Sequence, residues 1–168
     1  MKILVIGEIA SGKSTFAHKL GERLSLPVIH LDEMMDSVGR RDKDGVRKMI
    51  EQEIQNEDWI LDGNAFTKDK DKRIRAADVI FVFSLNPFVS LYRHFCRYLK
   101  TKFTDEKRVG GKFSRLNIAY FVPYIFFKFP KRKQAAILLA RSQDKKIFEI
   151  NSFSEADDFI SNKIDMVR

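Results

Sequence analysis

Gly7–Glu8–Ile9–Ala10–Ser11–Gly12–Lys13–Ser14–Thr15 is the stretch on which the reading of this 168-residue chain turns. It fits G-x-x-x-x-G-K-[ST] at every required position. Such a loop must curl so that successive backbone N–H groups face inward on phosphate oxygens. Gly7 and Gly12 allow the tight turns and close approach that a side chain would block. The helix opening near Lys13 adds its positive end. Lys13 is then placed to reach the outer phosphates, and the Ser14 hydroxyl to ligate Mg²⁺. With glycine near 7% of residues, chance gives on the order of one such match per 200 chains of this length. The flanks make chance a weaker explanation still. Lys2–Ile6 reads as a buried strand. After Lys13 the apolar residues Phe16, Leu20 and Leu24 fall four apart with Ala17 beside them, the pattern of an amphipathic helix.

Outward from that loop the chain alternates. Strands are expected at Val28–Leu31, Asp58–Asp62, Val79–Leu85 and Lys146–Ile150. Helices are expected around Val46–Ile54, Lys68–Arg75, Pro87–Lys100, Ser114–Phe127, Lys131–Ser142 and Ser154–Asn162, the last with Ser154 as cap. Proline suits a first helical turn, so Pro87 marks a start. Five strands alternating with helices predict an α/β fold, a parallel sheet covered on both faces, with ligands at the carboxyl ends of the strands. The first three ends carry Gly7, Asp32 and Asp62.

Asp62 closes the apolar run Trp59–Ile60–Leu61 and precedes Gly63–Asn64. An acid at a strand end beside a phosphate loop suits a second contact to Mg²⁺; an aspartate opening an Asp-Gly turn is the ordinary alternative. Asp32, in His30–Leu31–Asp32–Glu33, suits a base, a group holding a substrate hydroxyl or a helper with the metal, with a helix cap as its alternative. His30 reads as half-buried on its strand and Glu8 as facing solvent. Phosphoryl transfer spreads negative charge that cations stabilise. Arg93 and Arg97 lie four apart and share a helix face. Lys107, Arg108, Lys112 and Arg115 follow on a loop containing Gly110–Gly111, which could close over the phosphates. Arg73, Arg75 and Arg141 are weaker candidates.

Composition bounds the rest. Apolar residues make up 44% and charged residues 32%, a globular balance that excludes a disordered or mainly membrane-embedded chain. One cysteine, Cys96, excludes an intrachain disulfide framework. The longest apolar stretch, Ile118–Phe127, is interrupted by Pro123 and is too short for a membrane span. No export signal is visible, so a cytoplasmic location is expected. The net charge of +8 is uneven: between Arg93 and Lys146 fifteen Lys/Arg face three Asp/Glu, whereas the remainder is net acidic. That third of the chain would attract phosphates, whether of a nucleotide, a nucleic acid or an anionic membrane. The aromatics from Phe113 to Phe129 are expected to pack a helix on the sheet. An exposed subset would serve a homodimer face, a membrane surface or base stacking.

With these motifs in view, the chain resembles the adenylate-kinase-like P-loop kinases. Within them it resembles the small proteins called DNA topology modulation proteins (FlaR-type). The resemblance spans residues 2–161. It rests on Gly7–Thr15, on Pro27–Val28–Ile29–His30–Leu31–Asp32, on Trp59–Ile60–Leu61–Asp62–Gly63–Asn64, on Arg73 with Ala77–Asp78, and on Arg93-x-x-x-Arg97. It implies a three-layer P-loop NTPase fold with strand order 2-3-1-4-5, as one domain over 1–168 with a basic lid or helical insertion at about 100–130. It also implies an ATP·Mg²⁺ site in which Gly7, Ala10, Ser11, Gly12, Lys13, Ser14 and Thr15 bind nucleotide. Ser14 and Asp62 would serve Mg²⁺, and Arg93 and Arg97 would stand at the lid base. The expected activity is ATP-dependent phosphoryl transfer to a small acceptor, with Lys13, Asp32, Arg93 and Arg97 catalytic. A nucleic-acid-binding ATPase using the basic 93–146 segment is the alternative. Departures cluster on the acceptor side. The family's Asp-x-Pro-Arg-like piece is replaced by Ser84–Leu85–Asn86–Pro87. The acceptor-side Gly-Phe-Pro-Arg of adenylate kinases is replaced by Gly63–Asn64–Ala65–Phe66.

Overall fold

The computed structural model describes residues 1–39, 42–64, 71–103 and 122–167, with backbone alone at 97 and 100–103. The strands are β1 (Lys2–Gly7), β2 (Val28–His30), β3 (Trp59–Asp62), β4 (Val79–Phe83) and β5 (Lys146–Ile150). The helices are α1 (Lys13–Leu24), α2 (Leu31–Val38), α3 (Lys43–Glu53), α4 (Lys72–Ala76), α5 (Pro87–Phe103), α6 (Phe129–Arg141) and α7 (Phe153–Asn162). A π-helical turn, Tyr124–Lys128, leads into α6, and a 3₁₀ turn, Ile164–Val167, ends the described chain.

The five strands form one parallel sheet in the order β2-β3-β1-β4-β5, as the resemblance implied. The central strands read as unbroken hydrophobic runs because both faces are covered. On β1, Leu4 and Ile6 enter the core shared with Leu31, Val46, Ile50, Trp59 and Ile137 under α2, α3 and α6. Ile3 and Val5 enter the opposite core with Phe16, Leu20, Phe81 and Phe159 under α1 and α7. There the Phe16 ring meets Phe81 and Phe83 edge-on, with centroids 4.9 and 5.1 Å apart. These contacts fix the start of α1, and with it the loop that precedes it.

Several boundaries differ from expectation, and three of them have a clear local cause. β2 stops at His30 and α2 begins at Leu31, so Asp32 sits in a first helical turn rather than at a strand tip. Asp32 and Glu33 there complement the positive helix end. α7 begins at Phe153 and is capped by Ser152, not Ser154. Ser152 Oγ accepts from Glu155 N at 3.1 Å while Glu155 Oε2 accepts from Asn151 N at 2.7 Å, a variant of the capping box. Of the helix expected at 114–127, residues 122–127 are described, and they run into the helix expected at 131–142 without a break at Phe129. The wide turn closes with Phe129 N donating to Tyr124 O, which lets Pro130, lacking an N–H, sit in the first turn of α6. The expected lid residues Lys107, Arg108, Lys112 and Arg115, and the aromatics Phe113, Tyr120 and Phe121, lie outside the described residues.

Candidate functional site

The loop runs from the last residue of β1, Gly7, to the first of α1, Lys13. A β-carbon at Gly7 would stand 2.4 Å from Phe83 Cβ, so only glycine lets the loop root press against the end of β4. Ala10 (φ 61°) and Gly12 (φ 84°) both take left-handed backbone. Such a turn over one peptide is how consecutive N–H groups come to face a common centre. Ser11 N donates back to Glu8 O at 3.3 Å. Gly7 N is held by Asn64 Oδ1 at 3.0 Å. No side-chain hydrogen bond caps α1, so its first-turn amides remain suited to an anion. Lys13 and Ser14 are half-buried in that turn, Ser11 is buried and Thr15 is exposed.

Asp62 ends β3 in register with Val5 of β1 and His30 of β2. It is buried, and its Oδ2 lies 2.9 Å from His30 Nδ1. Its Oδ1 is buried with no hydrogen-bond partner among the described residues. The bond to Asp62 raises the His30 pKa above its usual value, against the opposing effect of burial, and the negative charges of Asp62, Glu33 and Asp32 add to the rise. The imidazole thus holds one carboxylate oxygen and leaves the other aimed elsewhere, the arrangement by which second-layer partners orient a ligand. Sequence reasoning set His30 aside. The signal for it was present: in the order 2-3-1-4-5 the ends of β2 and β3 are neighbours.

The turn after Asp62 is fixed residue by residue. Gly63 N donates to Val5 O at 3.0 Å, and Gly63 O accepts from Arg73 Nη1 at 3.1 Å. Arg73 is buried against Asp71, with Nη2 to Oδ2 at 2.9 Å and Nε to Oδ1 at 3.1 Å. It is therefore committed to the scaffold. Asn64 faces two ways: its Oδ1 holds Gly7 N, and its Nδ2 donates to the Tyr124 hydroxyl at 2.9 Å.

On the other side of the loop, Arg93 of α5 donates from Nε to Ala10 O at 3.2 Å, and its guanidinium lies 4.1 Å from the centre of the Phe153 ring. Phe153 in turn covers Gly12, whose β-carbon would meet the ring at 2.9 Å. Arg97 follows one turn later on α5, and its side chain lies outside the described residues. Asp32 is exposed, two residues beyond His30. Glu8 corrects the sequence reading: it is buried, not solvent-facing. It turns under α5, where Ser90 Oγ donates to its Oε2 at 2.9 Å. Burial pushes its pKa up, while the Ser90 bond and the charge of Lys133 pull it down. Lys133 itself donates to Ser84 Oγ at 2.7 Å.

Two features fit a nucleotide with Mg²⁺: a cradle that a β-carbon at Gly7 or Gly12 would fill, and a buried carboxylate oxygen without a partner among the described residues. Among the described residues no group of three or more His, Cys, Asp and Glu could hold a metal by itself. Mg²⁺ does not require one, because it takes one or two protein oxygens and completes its shell with phosphates and water.

Sheet order and phosphate-loop geometry define a P-loop kinase fold of the shikimate-kinase type. Among solved structures the chain is similar to the shikimate kinase of Bacteroides thetaiotaomicron, with a TM-score of 0.62 and 14% identity, covering 99% of this chain and 98% of that one. It is similar also to shikimate kinase from Acinetobacter baumannii in complex with shikimate (0.60, 12%, covering 99% and 92%). The enzyme of Aquifex aeolicus is a third (0.57, 11%, covering 99% and 96%). At these identities the likeness is one of fold. No protein-family model matches the chain, and no curated protein matches it in sequence. The resemblance to the DNA topology modulation subgroup thus rests on its motifs alone.

Proposed function

We propose that this chain is an ATP-dependent phosphotransferase that acts on a small acceptor. The observation that carries the reading is the pairing of a left-handed phosphate loop with a buried aspartate, at the adjoining strand end, one of whose oxygens has no partner among the described residues. In this reading the amides of Ala10–Thr15 bind the triphosphate and Lys13 neutralises its outer phosphates. Ser14 and Asp62 would hold Mg²⁺, which when bound offsets the charge developing on the transferred group. His30 orients Asp62 through the bond to its Oδ2. Arg93, seated on Ala10 O, and Arg97 beyond it supply positive charge from α5. Asp32, exposed beside the β2 end, is assigned to the acceptor, as a base or as a holder of its hydroxyl.

The test is a phosphotransfer screen with ATP and Mg²⁺ over nucleosides, nucleoside monophosphates, small polyols and shikimate, the molecule named for one of the fold neighbours. Acceptor-dependent ADP release that Lys13→Ala abolishes, with its thermal melt unchanged, supports the reading. Absence of binding to any nucleoside triphosphate by calorimetry would sink it. ATP hydrolysis stimulated by duplex DNA and by no small acceptor would favour the nucleic-acid ATPase instead.

A further inference from the structure

The outer face of α5 is apolar where no described element covers it. Phe88 is 70% exposed, Tyr92 68%, Phe95 46% and Leu99 39%. Their spacing of four, three and four residues keeps them within one narrow stripe, since a helix turns once per 3.6 residues. From Phe88 to Leu99 the stripe is about 16 Å long at ~1.5 Å per residue. It continues sideways: the Phe88 ring meets Phe126 edge-on at 5.4 Å, and the next residue, Phe127, is 67% exposed. Together these side chains present a few hundred Å² of apolar surface, the size at which a patch marks an interaction site. The core does not use them. The buried face of α5 is the opposite one, carrying Ser90 and His94.

Charge identifies the partner. Arg93 and Arg97 lie on the far side of α5, toward the loop; besides them the stretch 87–103 carries Lys100 and Lys102 and no Asp or Glu. Between 122 and 141 the chain carries Lys128, Lys131, Arg132, Lys133 and Arg141, again with no acid. We propose that the α5 stripe and Phe127 dock this protein on an anionic phospholipid surface, the rings entering the headgroup boundary and the surrounding bases meeting lipid phosphates. An exposed apolar stripe on a helix rich in Lys and Arg is the physical pattern of an interfacial helix. A second copy fits poorly, because pairing this face with itself sets bases against bases. A nucleic-acid duplex satisfies the charge but keeps its base faces stacked inside and offers little apolar surface to bury the stripe. A lipid surface satisfies both. None of the described helices is long and apolar enough to cross a membrane, so the contact is peripheral.

The experiment is flotation of the full chain with vesicles of phosphatidylcholine alone and of phosphatidylcholine mixed equally with phosphatidylglycerol. Recovery about tenfold higher on the anionic vesicles is expected, falling to the neutral-vesicle level in Phe88→Ser/Tyr92→Ser/Phe95→Ser. Lys128→Glu/Lys131→Glu, which leaves the rings in place, should lose anionic binding as well. Both variants are checked by thermal melting and by nucleotide affinity, which a surface change here leaves unaltered. The inference is overturned by absence of vesicle binding, by binding that both variants retain, by a dimer that the triple variant dissociates without any vesicle binding, or by the triple variant losing affinity for DNA alone.

Discussion

Replacing Asp71 by asparagine tests whether the arginine beneath the Asp62 turn is scaffold or chemistry. Asp71 and Arg73 are 3% and 2% exposed. The carboxylate takes both Nε and Nη2 of Arg73, and its Oδ1 also accepts from Arg73 N at 3.1 Å at the start of α4. The guanidinium's remaining bond holds Gly63 O. An amide in place of the carboxylate would keep one acceptor, turn an N–H toward the guanidinium, and leave a buried positive charge uncompensated. Removing one partner of a buried pair costs about 3–5 kcal/mol, with little solvent screening to reduce it here. Against a total stability of roughly 5–15 kcal/mol, that is a large share. For a domain of this size each kcal/mol moves the melting temperature by about 2–4 °C, so a fall on the order of 10 °C is expected. Urea unfolding of Asp71→Asn, and of Asp71→Asn/Arg73→Met, is the assay. The double variant should recover part of the loss, because it removes the stranded charge. A single-variant loss below about 1 kcal/mol would refute the argument. If an acceptor KM rose instead, Arg73 would be a site arginine.

Three further outcomes are expected. His30→Gln should lower stability in acid and neutral solution. A raised His pKa confers stability that is complete below the unfolded value of about 6.5 and lost as pH rises through the folded value, so the gap from wild type, read from urea midpoints across pH, should narrow as the pH climbs above that value. Glu8→Gln should stabilise the chain at neutral pH, because burial disfavours the ionised carboxylate while the glutamine oxygen can still accept from Ser90. Here too the raised pKa favours the folded wild type only in acid, so the advantage of the substituted amide, followed by the same urea midpoints, should vanish as the pH falls below the usual Glu value of about 4.3. Gly12→Ala should cost about 1–2 kcal/mol for left-handed backbone. It should also weaken ATP binding measured by calorimetry, since the new methyl meets the Phe153 ring at the mouth of the loop.

The fold was legible because its signals are local and redundant. Gly7–Thr15 joins a strand to a helix within one motif, and Val79–Phe83 is hydrophobic enough to demand burial on both faces. Boundaries that rest on a single side chain were less legible. Ser152 and Ser154 are equivalent as caps until Glu155 is seen to complete the box with the first of them. Leu31 reads as the last residue of β2, yet it opens α2, where its side chain occupies the space that a β-carbon on Gly63 would need. The burial of Glu8 was beyond sequence reasoning, because its partners Ser90 and Lys133 lie some 80 and 125 positions away in the chain.

The three residues after β3's apolar run each hold a different part of the site. Asp62 is tied to β2 through His30, Gly63 to α4 through Arg73, and Asn64 to both the loop root at Gly7 and the helical segment at Tyr124. A phosphate loop is constrained by the triphosphate itself, which offers the same oxygens whatever the acceptor. The turn faces no such fixed partner. At Asn64 a short amide serves as a strut between loop and helix. Because its oxygen binds one element and its nitrogen another, removing its amide would loosen Gly7 and Tyr124 together. In the proposed reading, the acceptor is therefore selected by what lies around this strut, from Asp32 to Tyr124, and not by the motif that binds ATP.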